Sequence, residues 1–161
     1  MRQLERTGRY LLLFIFILVL VSGCSLQASP EEVAQAKKDF ITMIDDLNNE
    51  APNGIKVLQE IRDMYTKGEI KRTKVQNTIL NGMDINDRIK DDIVSAGIPQ
   101  EMEPIRERLM TALAKRKDGY QMLFDAYDFN DPSREPAADA KIQEAIQDFV
   151  QIQKDVAPYR Q

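Results

Sequence analysis

From residue 30 to residue 158, apolar side chains return at intervals of three and four, the spacing that gathers them on one side of an α-helix. Val33, Ala36, Phe40, Met43 or Ile44, and Leu47 form the first stripe, while Lys37, Lys38, Asp45 and Asp46 lie mostly off it. Its start is signalled by Ser29-Pro30-Glu31-Glu32, with serine at the N-cap, proline in the first turn and a glutamate placed to close a capping box. Pro52 should break this helix, because proline lacks the N–H that bonds to the preceding turn. The apolar phase nevertheless continues through Ala51, Leu58, Ile61 and Tyr65, which favours one helix over about 30–67, kinked or nearly continuous at Pro52, over two shorter ones. Gly68 is the expected stop.

Ile70, Val75, Ile79, Met83, Ile89 and Ile93 predict a second helix reaching Ala96, with Gly97 just beyond it, Pro99 preventing continuation and Gly82 weakening its middle. A third begins near Pro99 or Pro104 and carries Met102, Ile105, Leu109, Ala112 or Leu113, Arg116, Tyr120 and Leu123. Pro132 closes the next connection, with Asp131 as the expected cap of a last helix. That helix bears Ile142, Ala145 or Ile146, Phe149, Ile152 and Val156, and ends at Pro158. No window alternates like a strand, and neither a repeat nor a low-complexity stretch is evident. The expected class is all-α: an up-and-down bundle of three to four long antiparallel helices over residues 30–161, joined by short connections such as 97–99 and 128–132.

The first 23 residues have another pattern. Arg2, Arg6 and Arg9 precede an uninterrupted apolar run of eleven residues, Leu11 to Val21, and then the small residues Ser22 and Gly23. This order matches a secretory signal peptide. As a helix the run would span only about 17 Å, short of a bilayer core of roughly 30 Å. Val21-Ser22-Gly23-Cys24 resembles the lipobox of bacterial lipoproteins, and Cys24 is the chain's single cysteine. The resemblance covers about the first 25 residues. It implies removal of residues 1–23, a diacylglyceryl group on the Cys24 sulfur, and a short tether over residues 24–29. It also implies an extracytoplasmic protein held at a bacterial cell membrane or outer membrane; Ser25, in place of an aspartate, is compatible with the outer membrane. One acyl chain binds a membrane marginally, whereas two or three anchor it stably.

Composition narrows the chemistry. The whole chain carries a net charge of −4, and loss of Arg2, Arg6 and Arg9 with only Glu5 leaves the remainder more acidic. That opposes nucleic-acid binding, which needs a row of cations facing phosphates. With no histidine and one cysteine, Ser-His-Asp and Cys-His nucleophile systems, His-containing zinc sites and a disulfide within the chain are all excluded. The run Asp125 to Asp131 is rich in oxygen ligands, but Pro132 and Ser133 occupy the fifth and sixth places of an EF-hand register begun at Asp128. Asp84, Asn86, Asp87, Asp91 and Asp92 are interrupted by Arg88 and Lys90, and helical spacing spreads them around a surface. No metal, cofactor or catalytic residue is therefore expected.

Two patterns point to binding. Tyr120, Phe124, Tyr127 and Phe129 bring half of the aromatic residues after Cys24 into one segment. They read first as a core layer, and any exposed subset as an anchor for a partner protein or glycan. The methionines, including Met83, Met102, Met110 and Met122, read as adaptable core filler or as the lining of a cavity between helices. The basic positions Lys71, Arg72 and Lys74, and Arg106, Arg108, Lys115, Arg116 and Lys117, read as solvated helix faces. The first expectation is a non-enzymatic, lipid-anchored bundle that binds an envelope protein or cell-wall polymer. The alternative is a carrier or sensor of a small apolar ligand held between the helices.

Overall fold

The computed structural model describes residues 29–160; the lipobox and Cys24 lie outside them. Four helices account for most of the described residues: α1 (Pro30–Thr66), α2 (Arg72–Ser95), α3 (Glu103–Asp128) and α4 (Glu135–Asp155). Short 3-10 turns at Gln100–Met102 and Pro132–Arg134 lead into α3 and α4, and a third, Ala157–Arg160, comes after α4. Among the described residues there is no strand, and no helix is long and apolar enough to cross a membrane. The all-α bundle expected from the periodicity is the fold.

Cross-helix pairs fix the topology. Lys115 meets Asp148 and Lys141 meets Asp118, so α3 and α4 run antiparallel. Gln76 meets Asp128 and Lys117 meets Asp87, which orients α2 against α3 in the same way. Asn48 donates to the Phe149 carbonyl and Arg62 pairs with Asp139, setting α4 antiparallel to α1. The helices thus go up, down, up and down, with α4 returning beside α1.

α1 runs unbroken through Pro52 for 37 residues, a length of about 55 Å. Its end is a Schellman turn, in which the Gly68 amide donates to the Tyr65 carbonyl and the Glu69 amide to Met64, with Gly68 at φ +76°. α3 ends in the same way around Asn130, at φ +54°, with Asp131 donating back to Ala126. The Asp131 side chain caps the turn that leads into α4, its carboxylate accepting from both the Ser133 amide and the Ser133 hydroxyl. The third helix starts at Glu103, with Pro104 in its first turn, where a missing amide hydrogen costs nothing. One stripe position fails, since Val33 at the open start of α1 is 37% exposed.

The core is in two parts. Phe40, Ile44, Leu47, Ile93, Met102, Leu109, Leu113, Phe149 and Ile152 pack at one end, whereas Leu58, Val75, Ile79, Tyr120, Leu123, Tyr127, Ala138 and Ile142 pack at the other. Between them on α2 and α3 lie the two buried polar residues among those described, Asn86 and Arg116. Burial of Asn86 corrects its expected place among surface acids: it continues the phase Ile79, Met83, Asn86, Ile93 and faces inward.

Candidate functional site

The polar layer is built from neighbouring helical turns. Arg116 stands three residues after Leu113 and four before Tyr120, so the period that buries those two buries the guanidinium as well. Its Nε donates to Asn86 Oδ1 at 2.7 Å, and Asn86 Nδ2 donates to the Leu113 carbonyl at 3.1 Å. The guanidinium also lies over the Phe149 ring, 5.1 Å from its centroid. Burial pulls the Arg116 pKa below its ordinary value, yet an arginine remains charged at neutral pH.

Among the described residues, no carboxylate pairs with Arg116, and its side-chain hydrogen bond uses only Nε. Its two terminal amino groups are left without an acceptor among those residues. Since no fully enclosed side-chain nitrogen or oxygen among the described residues lacks a partner, those groups keep an opening to solvent. Arg116 and Tyr120 line the floor, on α3, of a groove of about 400 Å³ between α1 and α2. Leu47, Ala51, Val57, Leu58, Ile85 and Ile89 make its walls largely apolar, and Glu50, Asn53, Thr78 and Asn81 supply polar positions. Val57 and Ile85 are 52% and 40% exposed, well above the usual burial of such side chains.

Two glycines shape this groove. A β-carbon at Gly54 would meet nothing within 4 Å, so that stretch of α1 presents bare backbone to open space. At Gly82 a β-carbon would lie 3.3 Å from Tyr120 Cε2, and its absence lets the tyrosine ring rest against α2. Burial raises the Tyr120 pKa, opposed by the charge of Arg116. No hydrogen bond engages the Tyr120 hydroxyl among the described residues. The result is an apolar trough with a buried, partly compensated cation and a neutral hydroxyl at its floor.

A second polar site closes the α1–α4 face. Arg62 donates to both oxygens of Asp139, at 2.7 and 3.0 Å, and to Glu135 at 2.6 Å, while the Tyr127 hydroxyl meets Glu135 at 3.2 Å. Burial alone would lower the Arg62 pKa, but the hydrogen bonds it donates to Asp139 and Glu135 raise it. This is a clamp, with both sides of the ion pair satisfied.

The aromatic segment does not make one surface. Tyr120 and Tyr127 are buried in the core, the latter edge-on to Tyr65 with centroids 5.6 Å apart, and Phe124 is half-buried against the same cluster. Phe129 alone stands in solvent, 66% exposed, with the Arg134 guanidinium 5.4 Å from its ring centre. Met102 is fully buried, and Met83, Met110 and Met122 pack against the two clusters; none of the four lines the groove. The second basic group disperses, with Arg106, Arg108, Lys115 and Lys117 paired to Glu103, Asp155, Asp148 and Asp87. Among the described residues no group of three or more acidic or cysteine side chains is placed to hold a metal. Arg116 corrects the expectation of solvated faces for the basic positions: it lies on the stripe of Leu113 and Tyr120 and is buried with them. The groove has no signal in the sequence, because it depends on the spacing between helices.

No family model matches the chain, and no curated protein or solved structure matches it.

Proposed function

We propose that the protein is a non-enzymatic binding protein of a bacterial envelope, anchored by lipid on Cys24, whose binding face is the groove between α1 and α2. One observation carries this reading: an apolar trough of about 400 Å³, open along Val57 and Ile85, ends on a buried polar floor. Small-molecule sites have this composition, with apolar walls and a few convergent polar groups, and volumes upward of about 300 Å³. The bundle provides rigid walls, while the anchor confines the domain to a membrane surface and raises its effective concentration toward molecules there.

A photo-crosslinking residue at Val57, in cells and with Cys24 intact, tests the reading. A recurrent small-molecule adduct at that position supports it, and no adduct above that seen at exposed Val94 would sink it. Replacement Cys24→Ser separates the anchor from the groove: lipid labelling and the accompanying maturation are lost, while helix content by circular dichroism is unchanged. An unmodified Cys24 in the mature wild-type protein would refute the anchoring.

A second reading is favoured by Phe129, exposed beside Arg134 at the turn into α4. There the anchored domain would dock an envelope protein or cell-wall polymer. Crosslinks to one recurrent macromolecule from position 129, and not from position 57, would favour it.

A further inference from the structure

We infer that the groove takes a small amphipathic monocarboxylate, its carboxylate on Arg116 and Tyr120 and its hydrocarbon part along Ala51, Val57, Leu58 and Ile85. The inference rests on the groove being a binding site and adds the class of its ligand.

Arg116 is more than nine-tenths buried, with 7% of its surface exposed, and so is Tyr120, also at 7%. A charge taken out of water is strongly unfavourable unless it is paired. Here the compensation is incomplete: Asn86 occupies Nε and Phe149 takes one face, so the outer edge of the guanidinium has no acceptor among the described residues. The Tyr120 hydroxyl, charged only at high pH, adds a donor beside it. A guanidinium edge matches the two oxygens of a carboxylate in one plane.

Valence is set by the surroundings. One cation faces the groove floor, and Glu50 lines the same groove. The adjoining cleft, which shares Leu47, Glu50 and Ile89, is lined further by Asp39, Asp46 and Asp92. A dianion such as a phosphate monoester would meet that negative field with one guanidinium to offset it, whereas a monoanion is neutralised by Arg116 alone. The apolar walls then require a tail. A chain of several methylenes fits, because the gain grows with the apolar area taken out of water.

The test uses the full chain in nanodiscs, labelled with 3-fluorotyrosine, with the Tyr120 fluorine signal assigned by Tyr120→Phe. Octanoate, octan-1-ol and octylammonium are titrated separately. Octanoate shifts the Tyr120 signal saturably and the other two do not; Arg116→Met weakens the octanoate response by about ten- to a hundredfold, the range of a lost charged hydrogen bond. Gly54→Leu, which grows into open space and leaves the core untouched, weakens it as well and keeps the test valid should Arg116→Met fail to fold. If octan-1-ol moves the signal as octanoate does, the groove binds apolar chains and the carboxylate assignment falls while the binding reading stands. If none of the three moves it, both fall.

Discussion

Gly119 faces Ile142 at a distance that leaves no room for a side chain: a β-carbon there would lie 2.7 Å from Ile142 Cγ1, 3.0 Å from its backbone nitrogen and 3.2 Å from the Ala138 carbonyl oxygen. The isoleucine tip can turn aside, but the backbone of α4 cannot without moving the helix. Alanine in a helix interior is favoured over glycine by about 1 kcal/mol, whereas overpacking a tight core costs about 1–3 kcal/mol. Gly119→Ala is therefore expected to be net destabilising, by about 1 kcal/mol, in urea unfolding. An unchanged or raised midpoint would show that α4 shifts freely.

The two left-handed caps differ in residue type and should respond in opposite directions. Gly68→Ala places a β-carbon at φ +76° and should lower stability by about 1–2 kcal/mol. Asn130→Gly relieves the same strain at φ +54° and should leave stability equal or slightly raised. Gly97 has neither a positive φ nor a neighbour within 4 Å, so Gly97→Ala serves as the control and should stabilise by about 0.4–1 kcal/mol.

Burial pushes the Tyr127 pKa from its ordinary 10.0 up to about 12, with Glu135 adding to the rise and Arg62 opposing it. The folded state holds this proton more tightly than the unfolded chain does. Its contribution is thus complete below pH 10 and is lost as pH climbs through 12, an effect on the order of 2 kcal/mol. Tyrosinate absorbance should show Tyr120 and Tyr127 titrating late, Tyr127→Phe should remove one of these two steps, and the same variant should flatten the fall in stability over that window. An equally steep fall in the variant would assign the alkaline loss elsewhere.

The polar layer predicts non-additivity. Asn86→Leu removes the acceptor of Arg116 Nε and strands a buried donor, at about 1–3 kcal/mol. Adding Arg116→Met should recover most of that loss, because a matched apolar pair is often as stable as the polar pair it replaces. A double variant as unstable as the sum of its parts would mean that the two residues act independently.

Much of the fold was legible because helix period and punctuation agreed. Gly68 and Pro104 lie at helix boundaries, Asp131 caps the turn into α4, and the phase across Pro52 correctly outweighed the proline, since a single missing amide can be tolerated where flanking turns are packed on both sides. Asn86 was misplaced because short polar residues nearby hid its phase. Tyr120 and Tyr127 fell on the buried side of α3 as their spacing implied. Phe129 escaped because it lies past the helix end, where period no longer directs a side chain. The groove needed three dimensions: Gly54 and Gly82 are ordinary weak points in a helix until two of them open onto the same space.

The ion pairs of α1 carry a mechanical consequence. Asp45 is held by Arg160 and Gln153, Asn48 by the Phe149 carbonyl, and Arg62 by Glu135 and Asp139. All these ties run to α4 or the turn after it. Among the described residues, no side-chain hydrogen bond or ion pair joins α1 to α2. A further ion pair, Lys37 with Glu101, ties the start of α1 to the turn before α3, so the edge of α1 that faces α2 along the groove is held by apolar contact alone. Along that edge, what resists separation of the two helices is the removal of apolar surface from water, so cooling and denaturant act on it where salt does not.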